Sequence, residues 1–449
     1  MALRRPIPAA LARASLPRAL TEVLARLAGA GHRSWVVGGA VRDLLLHRHR
    51  AGPADFDLAT PATPEQVMAL FPRHVPTGVK HGTVTVLVGA EPGKVEVTTF
   101  RGESGYADGR RPDAVTFLAD IDADLARRDF TVNALAWDPL APAFRDPFGG
   151  LEDLRRRRLR AVGEATARFA EDGLRPLRAV RLAAQLGFGL HPATRAAIPA
   201  ALPVVVRVSA ERICDELTKL LGSPRPAHGL ALCAATGLLD AVFPELARLP
   251  PVLRRHALAA AGAARGPLPV QLAALLHAAA AGEPPAAVAR EAREALGRLR
   301  FPGAVADEAE QLIREHGCLR ARGRVPVPAS DPEVRRLLSR VGAGRAPALL
   351  ALREADRLAL PAAAARRERA PGRALARRVR RVLAARPPLG TGDLALDGQE
   401  AMALLGIGPG REVGEALRHL LDLALEDPSL NTRGGLAAAL RGWWGSRSR

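Results

Sequence analysis

The chain has 449 residues, and its 65 Lys and Arg against 46 Asp and Glu give a formal net charge of +19. This length favours two to four domains over a single core, and the charge excess favours a polyanionic partner, nucleic acid before a membrane surface. Hydrophobic residues make up 48% of the chain, which excludes wholesale disorder, and aromatic residues make up 4%, which excludes a binding surface built mainly of stacked aromatics.

The cysteine pattern and the hydropathy point to a reducing, aqueous compartment. Cys214, Cys233 and Cys318 are far apart and form no CxxC pair. No segment reaches the roughly 18 apolar residues that a membrane-spanning helix needs, and residues 1–20 contain no apolar stretch long enough for a signal peptide. We therefore expect a cytoplasmic protein without a membrane partner.

Two regimes of local structure follow each other along the chain. Enrichment in Val, Thr and Phe between Gly and Pro predicts strands at 34–39, 55–60, 82–89, 94–100, 130–137 and 143–150. Between them, helices are predicted at 17–29, 41–47, 64–70 and 122–127. After residue 150, Leu, Ala and Arg recur at helical spacing between Pro and Gly breaks, which predicts an all-α remainder.

Two carboxylates in the second predicted strand are candidate metal ligands. One residue separates Asp55 from Asp57, so both side chains project from the same face of that strand. Adjacent carboxylates repel each other unless a cation neutralises them, and Mg²⁺ prefers such oxygen ligands. By itself this short pattern is more often a solvated turn.

A glycine pair upstream makes the metal interpretation stronger. Gly38 and Gly39 stand at the end of a predicted strand and open a helix, where a backbone without Cβ atoms can approach a triphosphate closely. Arg42, one turn further on, can add a charge-assisted phosphate contact. A glycine pair alone indicates a tight turn, but together with the carboxylates it predicts a nucleotidyl-transfer site with paired metals.

Five motifs in a fixed order resemble one family, the class II tRNA nucleotidyltransferases (CCA-adding enzymes) and bacterial poly(A) polymerases. The first is GGAVRD with DFD, and the others are RRDFTVNA (127–134), DPFGG (146–150), EDGLRPLRAVR (171–181) and VSAER (208–212). The resemblance implies an α/β nucleotidyltransferase head of polymerase-β-like fold followed by an all-α neck, body and tail. The implied divisions are an N-terminal arm (1–16), a head (17–160), a neck with the nucleotide-selecting motif (161–222), a body (223–360) and a tail (361–449).

The resemblance also assigns roles to individual residues. Arg128 would bind the incoming nucleotide, with Asp129 and Asn133 orienting the site. Asp172 and Arg175 would form an amino-acid template for the base edge of CTP or ATP. A carboxylate accepts from the exocyclic amine that C and A share, and a guanidinium donates to a ring N or O, so UTP and GTP would be rejected.

Further charges near these motifs have two interpretations each. Arg178 and Arg181 would face the triphosphate or RNA, although a solvated, salt-bridged helix face is the ordinary fate of such residues. Glu96 would supply a third carboxylate beside the metal pair, or it is a strand-edge residue. The Gly-rich segment 101–113 resembles the family's flexible loop, which helps the switch from C to A addition and is mostly missing in CC-adding relatives.

Residues 77–86 favour one branch of the family. Their sequence TGVKHGTVTV resembles the CCA-adding version, and the GRRF-like basic segment typical of the poly(A) polymerases does not occur. We therefore expect addition of C, C and A to tRNA 3′ ends from CTP and ATP, with Mg²⁺ and release of pyrophosphate. A-only addition, poly(A) addition and a non-catalytic RNA-binding protein on the same scaffold remain alternatives.

Some relatives carry a metal-dependent phosphohydrolase domain of HD type after the neck. Residues 271–278 resemble the frame of its motif, but Ala278 stands where the metal-binding Asp is expected. We therefore predict no phosphohydrolase metal site and expect His277 to be a partly buried helix residue.

The C-terminal part contains an arginine-rich helix. Residues 366–386 hold nine arginines and one acid, and Arg373, Arg377 and Arg380 or Arg381 share a helical face. A solvated face is the ordinary interpretation, but like charges four residues apart destabilise a bare helix, so we predict a phosphate-backbone partner. A tail at this position would hold the tRNA elbow while the acceptor end enters the head.

Overall fold

The computed structural model describes residues 6–48, 56–79, 82–89, 93–104, 114–118, 120–278, 283–316 and 327–447. Asp55, one of the predicted metal ligands, lies outside the described residues, as do residues 105–113 of the predicted flexible loop. By its internal contacts the chain divides into two compact units, Met1–Val242 and Phe243–Arg449. The finer division into arm, head, neck, body and tail stays a prediction.

Within the described residues, every strand belongs to the first unit. In chain order the strands are β1 (Trp35–Val37), β2 (Asp57–Thr60), β3 (His74–Gly78), β4 (Thr83–Val88), β5 (Gly93–Thr99), β6 (Arg101–Ser104), β7 (Ala114–Phe117), β8 (Ala136–Asp138), β9 (Ala143–Arg145), β10 (Arg158–Leu159) and β11 (Gly189–Leu190). β3 was not predicted, because it is an edge strand that contains a proline and lacks the alternation of apolar and polar residues.

A seven-stranded mixed sheet forms the centre of this unit, in the order β3-β4-β5-β2-β1-β8-β9. β2 is parallel to β5, and the other neighbouring pairs are antiparallel. The register places Asp57 opposite Val37 on one side and opposite Glu96 on the other. Residues paired across a ladder point to the same face, so Asp57 and Glu96 leave the same face of adjacent strands.

Helices surround the sheet and continue beyond it to the end of the first unit. They are α1 (Ala9–Ala12), α2 (Arg18–Gly29), α3 (Gly39–Leu45), α4 (Pro64–Leu70), α5 (Ile121–Ala126), α6 (Gly150–Arg155), α7 (Ala165–Glu171), α8 (Arg175–Leu186), α9 (Pro192–Val205), α10 (Ala210–Leu221), α11 (Pro226–Thr236) and α12 (Leu238–Val242). The helices predicted at 17–29, 64–70 and 122–127 are confirmed with small differences in their ends. The short parallel pair β10–β11 is the exception to the predicted all-α remainder.

One apolar cluster fixes the face on which the carboxylates lie. Trp35 and Val37 of β1 and Ala59 of β2 are buried together with Ile121 and Leu125 of α5. Asp57 precedes Ala59 by two residues and therefore points to the same face, at the start of its strand. The hydrophobic core thus ends where the polar site begins.

The strand predicted over residues 130–137 is wrong in its first half. Thr131–Asn133 forms a 3-10 helix, and β8 covers only the end of the segment. The backbone N–H of Phe130 donates to Asp129 Oδ1 (2.8 Å), and a local bond between side chain and backbone of this kind competes with a strand ladder. The apolar residues correctly indicate burial here but not the backbone geometry.

The second unit is helical throughout its described part. Its helices are α13 (Pro244–Ala247), α14 (Pro251–Ala263), α15 (Leu268–Leu276), α16 (Pro285–Arg298), α17 (Gly303–Glu315), α18 (Asp331–Val341), α19 (Ala346–Leu358), α20 (Ala362–Ala384), α21 (Gly398–Leu405), α22 (Arg411–Glu426) and α23 (Arg433–Arg447). One apolar cluster joins α18, α19 and α20, and another joins α21, α22 and α23. Among the helices described, none combines the length and hydropathy needed to cross a membrane. The predicted fold class, an α/β head followed by helices, is confirmed.

Candidate active site

The turn between β1 and α3 brings three predicted site residues together. Gly38 has φ +71°, a conformation that favours glycine, and a Cβ there would lie 2.8 Å from Arg128 Nη1 and 3.8 Å from Asp57 Oδ2. The missing side chain thus lets the Arg128 guanidinium lie against the turn, next to the Asp57 carboxylate. The backbone conformation favours glycine at this position, and a Cβ there would displace the Arg128 guanidinium from the turn.

The Asp57 carboxylate is in an environment that disfavours its charge. Desolvation raises its pKa, the Glu96 carboxylate raises it further, and the Arg128 guanidinium only partly offsets these two effects. The donors gathered here are carboxylate oxygens, which suit a hard divalent cation such as Mg²⁺. A bound cation would relieve the repulsion between Asp57 and Glu96.

Arg128 is positioned by an aspartate that the sequence did not single out. The buried carboxylate of Asp124, on α5, accepts from Arg127 Nη2 (2.8 Å) and from Arg128 Nη2 (3.3 Å). Burial by itself would raise the Asp124 pKa, but the two guanidinium groups hold it below the ordinary value. Arg128 Nε has no hydrogen-bond partner in the described part of the chain. The spacing of Asp124 to the arginines, three and four residues, was the available signal.

Gly39 and Arg42 lie on the first turns of α3. A Cβ on Gly39 would lie 3.4 Å from Arg42 Nη2, so the guanidinium folds back toward the glycine turn. Arg42 donates to both carboxylate oxygens of Asp43 (2.9 Å each) and to Asn133 Oδ1 (2.6 Å). These bonds fix its position, and its predicted phosphate contact, like the nucleotide contact of Gly39, stays a prediction.

Arg178 reaches from α8 to the segment that carries Arg128. Its Nε and Nη2 donate to Asp129 Oδ2 at 2.9 Å and 2.6 Å, while Asp129 Oδ1 accepts from Asn133 Nδ2 and from the Phe130 backbone N–H. Burial opposes ionisation of Asp129, yet Arg178 and these hydrogen bonds lower its pKa to about 2. The role predicted for Arg178 toward triphosphate or RNA stays a prediction; the structure shows an internal partner.

Replacing Asp129 by Asn is expected to remove a pH-dependent part of the stability. A carboxylate whose pKa falls from 3.8 to about 2 on folding stabilises the protein above pH 3.8 and loses that contribution as the pH falls toward 2. The shift corresponds to about 2 kcal/mol. Urea unfolding at several pH values should therefore show a wild-type advantage at pH 5 that shrinks toward pH 2. Asp215→Asn, at an exposed position of α10, is the control, and a pH-independent difference for Asp129→Asn would contradict the assignment.

Asp172 lies in the link between α7 and α8. Its Oδ1 accepts from the Leu174 backbone N–H (2.9 Å), and its Oδ2 accepts from Arg212 Nη2 (2.8 Å). Arg212 comes from the fifth motif, which the sequence identified without a role for this residue. Asp172 and Arg212, which are 40 residues apart in sequence, thus join two motifs, and the bond fixes the orientation of the Asp172 carboxylate.

Arg175, the other predicted template residue, is the first residue of α8. Its Nη1 donates to Glu171 Oε2 (2.5 Å) and to the Arg168 carbonyl (2.9 Å), and its Nη2 donates to the Arg127 carbonyl (3.2 Å). The side chain is 9% exposed. Arg175 therefore ties the template segment directly to the segment of Arg128, and its predicted contact with a base stays a prediction.

Arg181 lies further along α8, and it also has internal partners. Its Nε donates to Glu216 Oε2 on α10 (2.6 Å), and its Nη1 donates to Gln185 Oε1 (2.8 Å). The buried Glu216 also lies 3.8 Å from Arg178 Nη1. Arg178 and Arg181 thus share a carboxylate that holds α8 against α10, a contact that sequence spacing alone did not indicate.

The predicted RNA-binding arginines lie on α20 in the second unit. Leu375, Val379 and Val382 of this helix are buried against α18 and α19, which turns the opposite face outward. Three of the four predicted positions, Arg373, Arg377 and Arg380, are exposed on that outward face. Arg381 is also exposed, but its Nη2 donates to Asp331 Oδ1 at the start of α18 (2.5 Å). A cavity of about 590 Å³ beside α20 is lined by further charged residues, Arg353, Glu354, Arg357, Arg366, Glu368 and Arg369, together with Arg373.

A polymerase-β-like head with a glycine turn beside strand carboxylates defines a nucleotidyltransferase. One family model matches this head, and a second matches a helical region that follows it. Residues 34–160 match "Poly A polymerase head domain", and residues 187–249 match "Probable RNA and SrmB-binding site of polymerase A". The chain is 49% identical over 226 residues to a CCA-adding enzyme of Geobacillus stearothermophilus, a match that covers 50% of this chain and 54% of that protein. The chain thus spans about half the length of the curated relatives it matches.

Solved structures extend the similarity to nearly the whole chain. A Bacillus stearothermophilus CCA-adding enzyme in complex with CTP is 34% identical, with a TM-score of 0.76 over 96% of this chain and 98% of that chain. A Thermotoga maritima CCA-adding enzyme complexed with tRNA, 19% identical over 98% of this chain and 99% of that chain, has the same fold with a TM-score of 0.62. The chain belongs to the family of CCA-adding tRNA nucleotidyltransferases and poly(A) polymerases.

Proposed function

We propose that the protein adds C, C and A to the 3′ end of tRNA from CTP and ATP and releases pyrophosphate. The observation that carries the proposal is the position of Asp57 beside Glu96, Gly38 and Arg128 in a nucleotidyltransferase head. The Asp172–Arg175 segment, tied to the Arg127 backbone, supports it, because a non-catalytic RNA-binding protein requires neither group.

In the proposed reaction the terminal 3′-hydroxyl of the tRNA attacks the α-phosphorus of the nucleotide. A new P–O bond forms, the bond between the α- and β-phosphates breaks, and pyrophosphate leaves with its electron pair. Asp57 and Asp55 would hold Mg²⁺, with Glu96 as a third carboxylate on the adjacent strand. When bound, Mg²⁺ lowers the pKa of the hydroxyl and neutralises charge on the leaving pyrophosphate.

The chain's own residues would position the nucleotide for this attack. Arg128, held by Asp124 and lying against Gly38, is placed to donate to phosphate oxygens. Asp172 would accept from the exocyclic amine of C or A, and Arg175 would donate to the ring. U and G present a carbonyl at that edge, which would leave the Asp172 carboxylate facing another acceptor.

We place tRNA on the outward face of α20, where Arg373, Arg377, Arg380 and Arg381 are exposed. Arginines on one helix face can neutralise successive phosphates and release counterions, so binding there should depend on salt concentration. We also place the protein in the cytoplasm, in keeping with the free thiols of the buried Cys214 and Cys233.

The double substitution Arg377→Gln/Arg380→Gln is expected to weaken tRNA binding several-fold. Each lost phosphate contact should reduce the slope of log K against log salt by roughly 1. Filter binding of tRNA across a salt series measures both quantities. Arg255→Gln/Arg290→Gln, exposed on α14 and α16 of the same unit, is the charge-matched control. Equal affinity and slope for the two double variants would remove α20 from the tRNA site.

The proposed activity is tested with one substrate series. Purified protein is given tRNA that ends at the discriminator base, at C or at CC, each with CTP, ATP or both, and products are resolved by length. CCA addition predicts C, C and then a single A. Incorporation of A only onto the CC end identifies an A-adding enzyme, a long A tract identifies a poly(A) polymerase, and no extension identifies a binding protein.

A further inference from the structure

Four buried polar side chains meet in the interior of the second unit. His256 lies on α14, His277 directly follows α15, His316 directly follows α17, and Asp356 lies on α19. Their side chains are 0–2% exposed. Two helices and the C-terminal ends of two others therefore each bring one polar side chain into the same buried cluster.

The distances are those of a cluster centred on the Asp356 carboxylate. His256 Nε2 lies 2.7 Å and His277 Nε2 3.8 Å from Asp356 Oδ1, and His316 Nε2 lies 3.8 Å from Oδ2. Ligand atoms of a tetrahedral Zn²⁺ site, each about 2.0–2.1 Å from the metal, lie ~3.3 Å apart. One atom from each of His256, His277 and Asp356 falls within 4.8 Å of the others. Small side-chain adjustments would accommodate an ion.

The second nitrogen of each ring determines which nitrogen faces the cluster. Nδ1 is bonded to a backbone carbonyl in all three cases, that of Ala359 for His256 (3.2 Å), Ala274 for His277 (2.8 Å) and Ile313 for His316 (2.9 Å). His256 Nε2 lies 2.7 Å from Asp356 Oδ1, which accepts only from N–H, so this nitrogen carries a proton that a bound cation would replace. A carbonyl likewise accepts only from N–H, so Nδ1 of His277 and of His316 carries the proton and their Nε2 atoms present lone pairs. This is the arrangement by which proteins orient histidine ligands toward a metal.

These two lone pairs have no hydrogen-bond donor in the described part of the chain. Nε2 of His277 and Nε2 of His316 are buried without a hydrogen-bond partner and point toward Asp356, which is itself an acceptor. A buried polar atom left without a partner destabilises a fold. A cation at the centre would give both nitrogens a partner.

We propose that His256, His277 and Asp356, with His316 as a fourth ligand, bind one divalent transition-metal ion of the Zn²⁺ type. Imidazole nitrogens select such ions over Mg²⁺, which prefers oxygen ligands. The site lacks a carboxylate directly after His277, where Ala278 stands, and its carboxylate comes from Asp356 on α19. A closed, four-residue site joins α14, α15, α17 and α19 and has a structural role.

The proposal is tested on the full-length protein, stripped with a chelator and then titrated with ZnCl₂. We expect one tightly bound Zn²⁺ per chain by mass spectrometric metal analysis, and a Tm higher by roughly 5 °C or more at a free Zn²⁺ concentration 100-fold above Kd. Co²⁺ in place of Zn²⁺ should give the visible absorption of a tetrahedral site. Wild-type protein that retains no stoichiometric Zn²⁺ and shows no Tm shift would overturn the proposal.

Substitutions then locate the ion. His277→Gln and Asp356→Asn should each weaken Zn²⁺ binding at least about tenfold and remove the Tm shift, while His419→Gln on α22 should leave both unchanged. Zn²⁺ held at Asp57 in the first unit would persist in both cluster variants, so equal Zn²⁺ binding by wild type and variants contradicts the assignment. Far-UV circular dichroism verifies folding, and the Co²⁺ spectrum of the wild type requires no variant.

Discussion

Asp57→Asn should abolish nucleotide addition, with a loss of at least about 10³-fold in kcat. The substitution removes a carboxylate that lies opposite Glu96 in the β2–β5 pair. The Gly38 turn and the Arg128 guanidinium lie beside the same carboxylate. Extension of tRNA ending in CC by labelled ATP measures the loss. Binding of tRNA should not change, because Asp57 belongs to the first unit and the arginines proposed to contact the tRNA backbone belong to the second.

The stability of the same variant distinguishes a catalytic role from a structural one. The raised pKa of Asp57 means that its ionised form is less favourable in the folded protein than in the unfolded chain. Removing that charge relieves repulsion with Glu96, so Tm should stay constant or rise slightly. Glu65→Gln, at an exposed position of α4, is the control and should keep full activity. A large fall in Tm together with lost activity would indicate that Asp57 supports the fold instead.

Asp172→Ala should relax the choice of nucleotide. A charge-assisted hydrogen bond contributes about 1.5–3 kcal/mol, so kcat/KM for CTP and ATP should fall roughly 10- to 150-fold. UTP and GTP, which lose an unfavourable acceptor–acceptor contact, should be incorporated at a rate closer to that of CTP. Parallel single-nucleotide extensions with all four triphosphates give the ratios.

Two further variants distinguish recognition of the base by Asp172 from a purely structural role of this residue. Arg212→Lys keeps the Asp172 carboxylate but changes the group that orients it (2.8 Å), so it should give a smaller loss of selectivity. Asp215→Ala, exposed on the same helix as Arg212, should behave as wild type. If UTP and GTP remain excluded from Asp172→Ala while its Tm falls, Asp172 acts only through Leu174 and Arg212 as a structural link.

The sequence predicted the strand that carries Asp57 because its signals are local. The alternation around DFDLAT and the glycine pair before α3 follow directly from strand and turn geometry, and β2 and the Gly38 turn form as expected. The parallel pairing of β2 with β5, which places Glu96 opposite Asp57, depends on long-range topology that local spacing does not encode. For this reason Glu96 could be given only as an alternative.

The partners of the arginines were less predictable. The resemblance assigned Arg178 and Arg181 to triphosphate or RNA, and their helical spacing left a salt-bridged helix face as the alternative. The structure shows internal partners, Asp129 and Glu216, which come from distant parts of the chain. The histidine cluster shows the same limit. Ala278 stands where the motif has Asp, which suggested that no metal site remains. The carboxylate near His277 is that of Asp356 on α19, 79 residues away in sequence.

The bonds from α8 to the Arg127–Asp129 segment have a kinetic consequence. Arg175 holds the Arg127 carbonyl and Arg178 holds Asp129, so the helix that would read the base and the segment that would grip the phosphates form one rigid body. A mismatched base could then be accommodated only by moving the sugar and the α-phosphorus out of line with the attacking hydroxyl. Discrimination between nucleotides should accordingly appear in the rate of bond formation more than in the tightness of nucleotide binding.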